Sequence, residues 1–157
     1  MNEPECLLCD GAEADRQLDR TLVWEDRLWR LSMSLRGYTT GFGYLESKRH
    51  IPHITDLGDE EAATFGPVLA RTTAVLKEAA DAELVFVYVF GGGISHLHVH
   101  LGPHRTGDAL NNDVIRGELV IDPHPSGAGR MVSREFTEVS VDEIAVVIER
   151  ARHLLSA

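Results

Sequence analysis

The chain has 157 residues and a formal net charge of −10, with 15 Lys and Arg against 25 Asp and Glu. That length suits one domain, residues 1–157, with a sizeable core, and 43% hydrophobic with 25% charged residues is ordinary soluble-globular composition. The acidic balance argues against a nucleic-acid partner, which needs a basic footprint. It leaves room for a small anionic ligand held by local positive charge, for which the histidine-rich stretch, Lys48, Arg49 and Arg105 are available.

No apolar run approaches the ~20 residues of a membrane span. Met1-Asn2-Glu3-Pro4-Glu5 lacks the basic and apolar regions of a signal peptide. A cytoplasmic location without membrane contact is the expectation.

The first chemical signal is Cys6-Leu7-Leu8-Cys9, the only two cysteines. A redox pair of this spacing is expected between a strand and a helix inside a βαβ pattern, and this one lies near the N-terminus. The position favours two ligands of a zinc knuckle over a redox pair or a coincidence, and a tetrahedral site then needs two more ligands from elsewhere. Leu22-Val23-Trp24 reads as a short strand, followed by a turn at Glu25-Asp26-Arg27. Leu28 to Ser34 and Gly41 to Glu46 read as two more strands.

Asp59 is a candidate N-cap for a helix to about Ala80, with Ala62, Phe65, Leu69, Thr73 and Leu76 as its apolar stripe. Pro67 kinks that helix or moves its start. Leu84 to Phe90, β-branched and aromatic throughout, is the most strand-like run. Gly91-Gly92-Gly93 then turns the chain and suits close approach of a ligand.

Ser95-His96-Leu97-His98-Val99-His100-Leu101 alternates imidazole and aliphatic side chains. On a strand, Leu97, Val99 and Leu101 face the core and the three imidazoles line the other face, about 7 Å apart. Such a row points to metal binding, nucleophilic catalysis or proton transfer. Beyond it, Gly-Pro, Asn-Asn, Asp-Pro and Ser-Gly pairs predict mostly loop, with short strands at Glu118–Ile121 and Glu135–Val139. Ser140 with Glu143 forms a capping box for a last helix to about Leu155, with Ile144, Val147, Ile148, Ala151 and Leu155 on one stripe. Neighbouring strands interrupted by one central helix define an α+β pattern with an antiparallel sheet.

The run His96-Leu97-His98-Val99-His100-Leu101-Gly102 resembles the His-φ-His-φ-His-φ-φ signature of the histidine-triad superfamily of nucleotide hydrolases and transferases. The resemblance extends to Cys6-x-x-Cys9, as in the zinc-containing branch, to Val23-Trp24-Glu25-Asp26, to Gly41 through His50-Ile51 with its Lys48-x-His50, and to Gly107-Asp108. It covers residues 5 to 108, and residues 109–157 are a divergent C-terminal extension of the same domain. The fold it implies is an antiparallel sheet with a central and a C-terminal helix.

The resemblance implies a structural zinc on Cys6, Cys9, His50 and His96, with His53 as a rival ligand. It implies that His98 attacks the phosphorus of a nucleotide ester, anhydride or phosphoramidate, giving a covalent nucleotidyl-histidine, and that His100 contacts the phosphate and assists the leaving group. Gly92, Gly93 and Ser95 would meet the phosphoryl oxygens. The family's ribose-gripping acid falls at Ser34, the histidine after its glycine at Phe42, and its basic residue after the triad at Arg105. The implied partners are a nucleotide or phosphate ester and a second copy in a homodimer. Two other readings of the row stay open: a catalytic metal held by His96, His98 and His100, and a nucleotide-binding protein without turnover.

Overall fold

In the computed structural model of the protein, the residues described are 6–89, 94–106, 108, 117–123, 129–135 and 137–156. Five strands form one antiparallel sheet in the order β1-β2-β3-β5-β4. They are β1 (Arg20–Glu25), β2 (Trp29–Ser34), β3 (Gly43–Ser47), β4 (Leu84–Tyr88) and β5 (His98–His104). A separate hairpin pairs β6 (Gly117–Pro123) with β7 (Gly129–Glu135). The helices are α1 (Gly11–Gln17), α2 (Asp59–Ala79) and α3 (Val141–Ser156). No helix among the described residues is long and apolar enough to cross a membrane.

Strand alternation gives the sheet two unlike faces. Trp29, Leu31 and Met33 of β2, Leu45 of β3, and Val99 and Leu101 of β5 face the helices and are fully buried. Leu76 and Ala79 of α2 and Ile144, Ile148 and Ala151 of α3 complete that core. The other face carries Arg30, Ser32 and Ser34 of β2, Tyr44 and Glu46 of β3, and His98, His100 and His104 of β5.

The α3 stripe is the five residues expected from the sequence, all buried. The α2 stripe is rotated from the expected one. Glu61, Val68, Thr72, Leu76 and Ala79 are buried, whereas Ala62 is exposed and Phe65 and Leu69 only border the core. Thr72 can face the core because its hydroxyl donates back to the Val68 carbonyl at 2.9 Å. Gly58, not Asp59, caps α2, and its amide donates to Glu61 Oε2 at 2.7 Å.

Two further expectations are corrected. The second C-terminal strand is Gly129–Glu135 and not Glu135–Val139, because it pairs along its whole length with β6. The N-terminal segment holds the helix α1, where only a metal knuckle was expected. Asp10 caps it, accepting from the Glu13 amide at 3.2 Å.

On the polar face, α1 is joined to the sheet by a buried cluster of four charges. Arg30 donates to Asp15 at 2.6 Å and to Glu46 at 3.0 Å, and Arg20 donates to Glu46 at 2.6 Å. All four side chains are buried. Gly11 lies against them, and a Cβ there, 2.9 Å from Arg30 Cζ, would push the guanidinium aside. Gly41 answers to a different constraint. Its φ of +83° is left-handed, and a Cβ there would sit 3.2 Å from both Ala80 and Val147.

Removing one partner from a buried charge cluster strands the others without water. Glu46→Ala is therefore expected to lower unfolding stability by about 3–5 kcal/mol in urea titrations, whereas Arg27→Ala, which cuts the exposed Arg27–Glu60 pair, should cost under about 1 kcal/mol.

Candidate functional site

The row of three histidines is not one strand face. His96 lies in a bend before β5, its amide bonded to the Ile94 carbonyl at 2.8 Å. His98 and His100 begin β5 proper, opposite Glu46 and Tyr44 of β3. Leu97, Val99 and Leu101 are buried as alternation requires. Leu97 also donates its amide to the Ile51 carbonyl, which ties the bend to the segment after His50.

The bend turns the His96 ring away from the other two. Its Nε2 donates to the Ser47 carbonyl at 2.7 Å, so its Nδ1 carries the lone pair. That Nδ1 lies 3.4 Å from Cys6 Sγ and 3.6 Å from Cys9 Sγ. His50 Nδ1 lies 3.4 Å from Cys9 Sγ. The four ligand atoms of Cys6, Cys9, His50 and His96 all fall within 4.8 Å of one another.

A tetrahedral zinc with Zn–S of about 2.3 Å and Zn–N of about 2.1 Å sets the sulfur–nitrogen edge at about 3.6 Å. The observed separations fit that edge. Loss of hydration and the neighbouring Cys6 push the Cys9 thiol up to about 11. A thiol raised in this way needs a nearby cation to become a thiolate. His53 stands outside this group of four.

His98 is oriented by the same bend. Its Nδ1 donates to the His96 carbonyl at 2.6 Å, which leaves the Nε2 lone pair for chemistry. The His98 and His100 rings are 5.1 Å apart, edge to face. Burial, then the nearby His98 and the Arg20 charge, lower the His100 pKa to about 4. His100 is thus a neutral hydrogen-bonding group at physiological pH.

Tyr44 packs against His100 at 5.3 Å, Phe42 packs against both, and the Arg20 guanidinium lies 4.8 Å over the Tyr44 ring. Ser34 Oγ is 3.1 Å from the Tyr44 hydroxyl. Ser34 and Phe42 therefore gather beside His100, although Phe42 is buried. Ser95 is exposed next to His96. Arg105 is placed elsewhere. It donates to Thr40 Oγ1 at 3.1 Å and borders a recess with Ala79 of α2 and Val146 and Arg150 of α3. Gly92 and Gly93 lie outside the described residues.

Sequence reasoning missed Tyr44, Glu46, Ser47 and Arg20. Pairing the Gly41–Glu46 run beside the histidine run would have put Tyr44 and Glu46 on the same face. Nothing local marks Arg20, which reaches Glu46 across 26 residues of sequence.

The sheet thus carries a histidine-bearing face with a Cys/His cluster at its end. No family model matches the chain. Sequence comparison finds the nitrilase and fragile histidine triad fusion protein NitFhit of Caenorhabditis elegans, 28% identical over 98 residues, covering 59% of this chain. The match spans only 22% of that protein's length. An uncharacterised HIT-like protein of Mycobacterium tuberculosis is 26% identical over 144 residues, covering 85% of this chain and 94% of its own.

Among solved structures, a hypothetical histidine triad nucleotide-binding protein of Sulfolobus tokodaii superposes with a TM-score of 0.64 at 18% identity, covering 96% of this chain and 92% of that one. A zinc-bound histidine triad family protein of Mycobacterium smegmatis superposes with a TM-score of 0.62 at 19% identity, covering 97% and 96%. The chain is thus similar in sequence to histidine-triad-like proteins and shares their fold.

His100 yields a pH prediction. Its folded pKa is depressed, so between about pH 4 and 6.5 the unfolded chain binds more protons. The stability held above pH 6.5 should drain away as pH falls toward 4, and the melting temperature with it. A His100→Gln variant should show a shallower fall between pH 7 and 5 in thermal scans.

Proposed function

We propose that the chain hydrolyses or transfers a nucleotidyl group through a covalent intermediate on His98, with a structural zinc beside the site. The observation that carries this reading is the 2.6 Å bond from His98 Nδ1 to the His96 carbonyl. It fixes the tautomer whose Nε2 is a nucleophile and stabilises the positive charge the ring gains on attack.

In the first step the Nε2 lone pair forms an N–P bond. The bond from phosphorus to the leaving nitrogen or oxygen breaks, and its electron pair stays on that atom, which takes a proton from water. In the second step a water oxygen bonds to phosphorus, its proton passes to solvent, and the P–N bond returns its pair to His98. The sum consumes one water and releases a nucleotide and the protonated leaving group. His100, neutral, would hydrogen-bond the phosphoryl group as charge develops. Ser34 and Phe42, gathered beside it, would border the organic part of the substrate, and Ser95, Gly92 and Gly93 the phosphoryl oxygens. Arg105, turned toward the helices, is left out of this site.

Cys6, Cys9, His50 and His96 would hold zinc, which supplies no reacting group and ties the N-terminal segment to β3 and β5. The same reading includes a second copy of the chain in a homodimer.

His98→Ala should abolish turnover of nucleoside phosphoramidates and dinucleoside polyphosphates, by at least about a thousandfold for loss of a covalent nucleophile, while the circular-dichroism spectrum stays unchanged. Retained turnover would remove His98 from the mechanism. Elemental analysis should find one zinc per chain, lost in Cys9→Ser together with several degrees of melting temperature. A zinc kept in Cys9→Ser would point instead to a metal held by the histidine row.

A further inference from the structure

Beside His98 lies a cavity of about 190 Å³ lined by the apolar residues Pro52, Ile54, Val89 and Leu97 and by His53, His96 and His98. Two of these aliphatic side chains are open to solvent. Ile54 is 46% exposed and Val89 48%. Leaving such groups half bare costs hydrophobic energy unless a partner covers them.

The size is informative. An aliphatic-walled cavity of roughly 150 Å³ is enough for benzene. Sites that enclose larger organic ligands run from about 300 to 1,000 Å³. This one takes a single ring or a branched aliphatic group, and a nucleoside is too large for it.

The charge is equally informative. Among the described residues that line the cavity there is no lysine or arginine. A leaving group carrying phosphate or carboxylate needs cations or converging amides to replace its hydration. The aliphatic part of this lining, Ile54, Val89 and Leu97, offers neither.

We propose that this cavity seats the leaving group, and that the leaving group is a neutral, apolar-bodied amine or alcohol rather than a second nucleotide or an acidic amine. The inference rests on the nucleotidyl-transfer reading above and deepens it. In the first step of that reading, the bond from phosphorus to this amine or alcohol is the one that breaks. Its nitrogen or oxygen keeps the electron pair and takes a proton from water. Ile54 and Val89 then act as specificity-determining residues, excluding water from the departing group's body while His98 makes its bond to phosphorus.

The test uses the full chain and four sets of 5′-phosphoramidates, built on the adenosine, guanosine, cytidine and uridine monophosphates. Each set carries a phenethylamine and a taurine leaving group, and a matching dinucleoside polyphosphate is run alongside. The wild-type protein should favour phenethylamine over taurine by at least about tenfold in kcat/KM, the usual value of a well-filled apolar pocket. Ile54→Lys should shrink that ratio by at least about tenfold, by raising turnover of the taurine compound as well as lowering that of the other. Val89→Lys should act in the same direction.

Equal turnover of both leaving groups by the wild type, or an unchanged ratio in both lysine variants, overturns the proposal. So does an Ile54→Lys variant whose only change is its mass by light scattering, which would make Ile54 part of an interface between copies. His98→Ala separates the two levels. If it remains active, the nucleotidyl-transfer reading falls. If it is dead while the wild type shows no leaving-group preference, only the cavity's role falls. Absence of turnover across all four sets overturns both.

Discussion

His96 is the residue on which the rest of the site depends. Its ring and its carbonyl serve different neighbours. The ring donates from Nε2 to the Ser47 carbonyl and presents Nδ1 to both cysteines. The carbonyl receives the Nδ1 proton of His98. A shift of the His96 peptide therefore moves the Cys/His cluster and the His98 ring together. The bend that precedes β5 makes this possible, because on a regular strand the carbonyl of one residue lies in the ladder and is not offered to the side chain two residues on.

What holds that bend is spread over distant segments. Leu97 donates to Ile51 from one side. On the other, Ser47 Oγ donates to the Arg49 carbonyl at 2.9 Å, and Arg49 makes a two-bond contact with Glu61, at 2.7 and 2.6 Å. With Arg49 beside it, the Glu61 carboxyl stays down at about 2. Glu61 in turn caps α2 through the Gly58 amide. The start of the long helix, the strand end at Ser47 and the cluster residue His50 are thus one connected unit.

The polar face shows a second way of fixing a site. Beside the histidines, Arg20, Arg30, Asp15 and Glu46 neutralise one another in a buried group. Such clusters add little net stability and much geometric definition. Here the cluster pins α1 over β1 and β2 and holds Arg20 above the Tyr44 ring. The charge of Arg20 also helps keep His100 neutral. The residues bordering His98 and His100 are therefore set by long-range ion pairing rather than by the strand that carries those histidines.

The sequence alone determined the α+β class, the antiparallel sheet, the two long helices and the whole buried stripe of α3. These rest on local periodicity, and a strand of alternating Leu, Val and His can only bury one face. It also marked Cys6 and Cys9 by residue type and spacing, and the resemblance to the histidine-triad superfamily added His50 and His96. Only the tertiary structure decided that α2 buries Thr72 and not Thr73, that α1 exists under the polar face, and that Arg105 turns toward α2 and α3. It also split the three histidines by placing His96 in a bend. Each of those outcomes depends on contacts between residues tens of positions apart, such as Leu97 with Ile51 and Arg20 with Glu46. Periodicity within a segment carries no information about which distant partner will meet it.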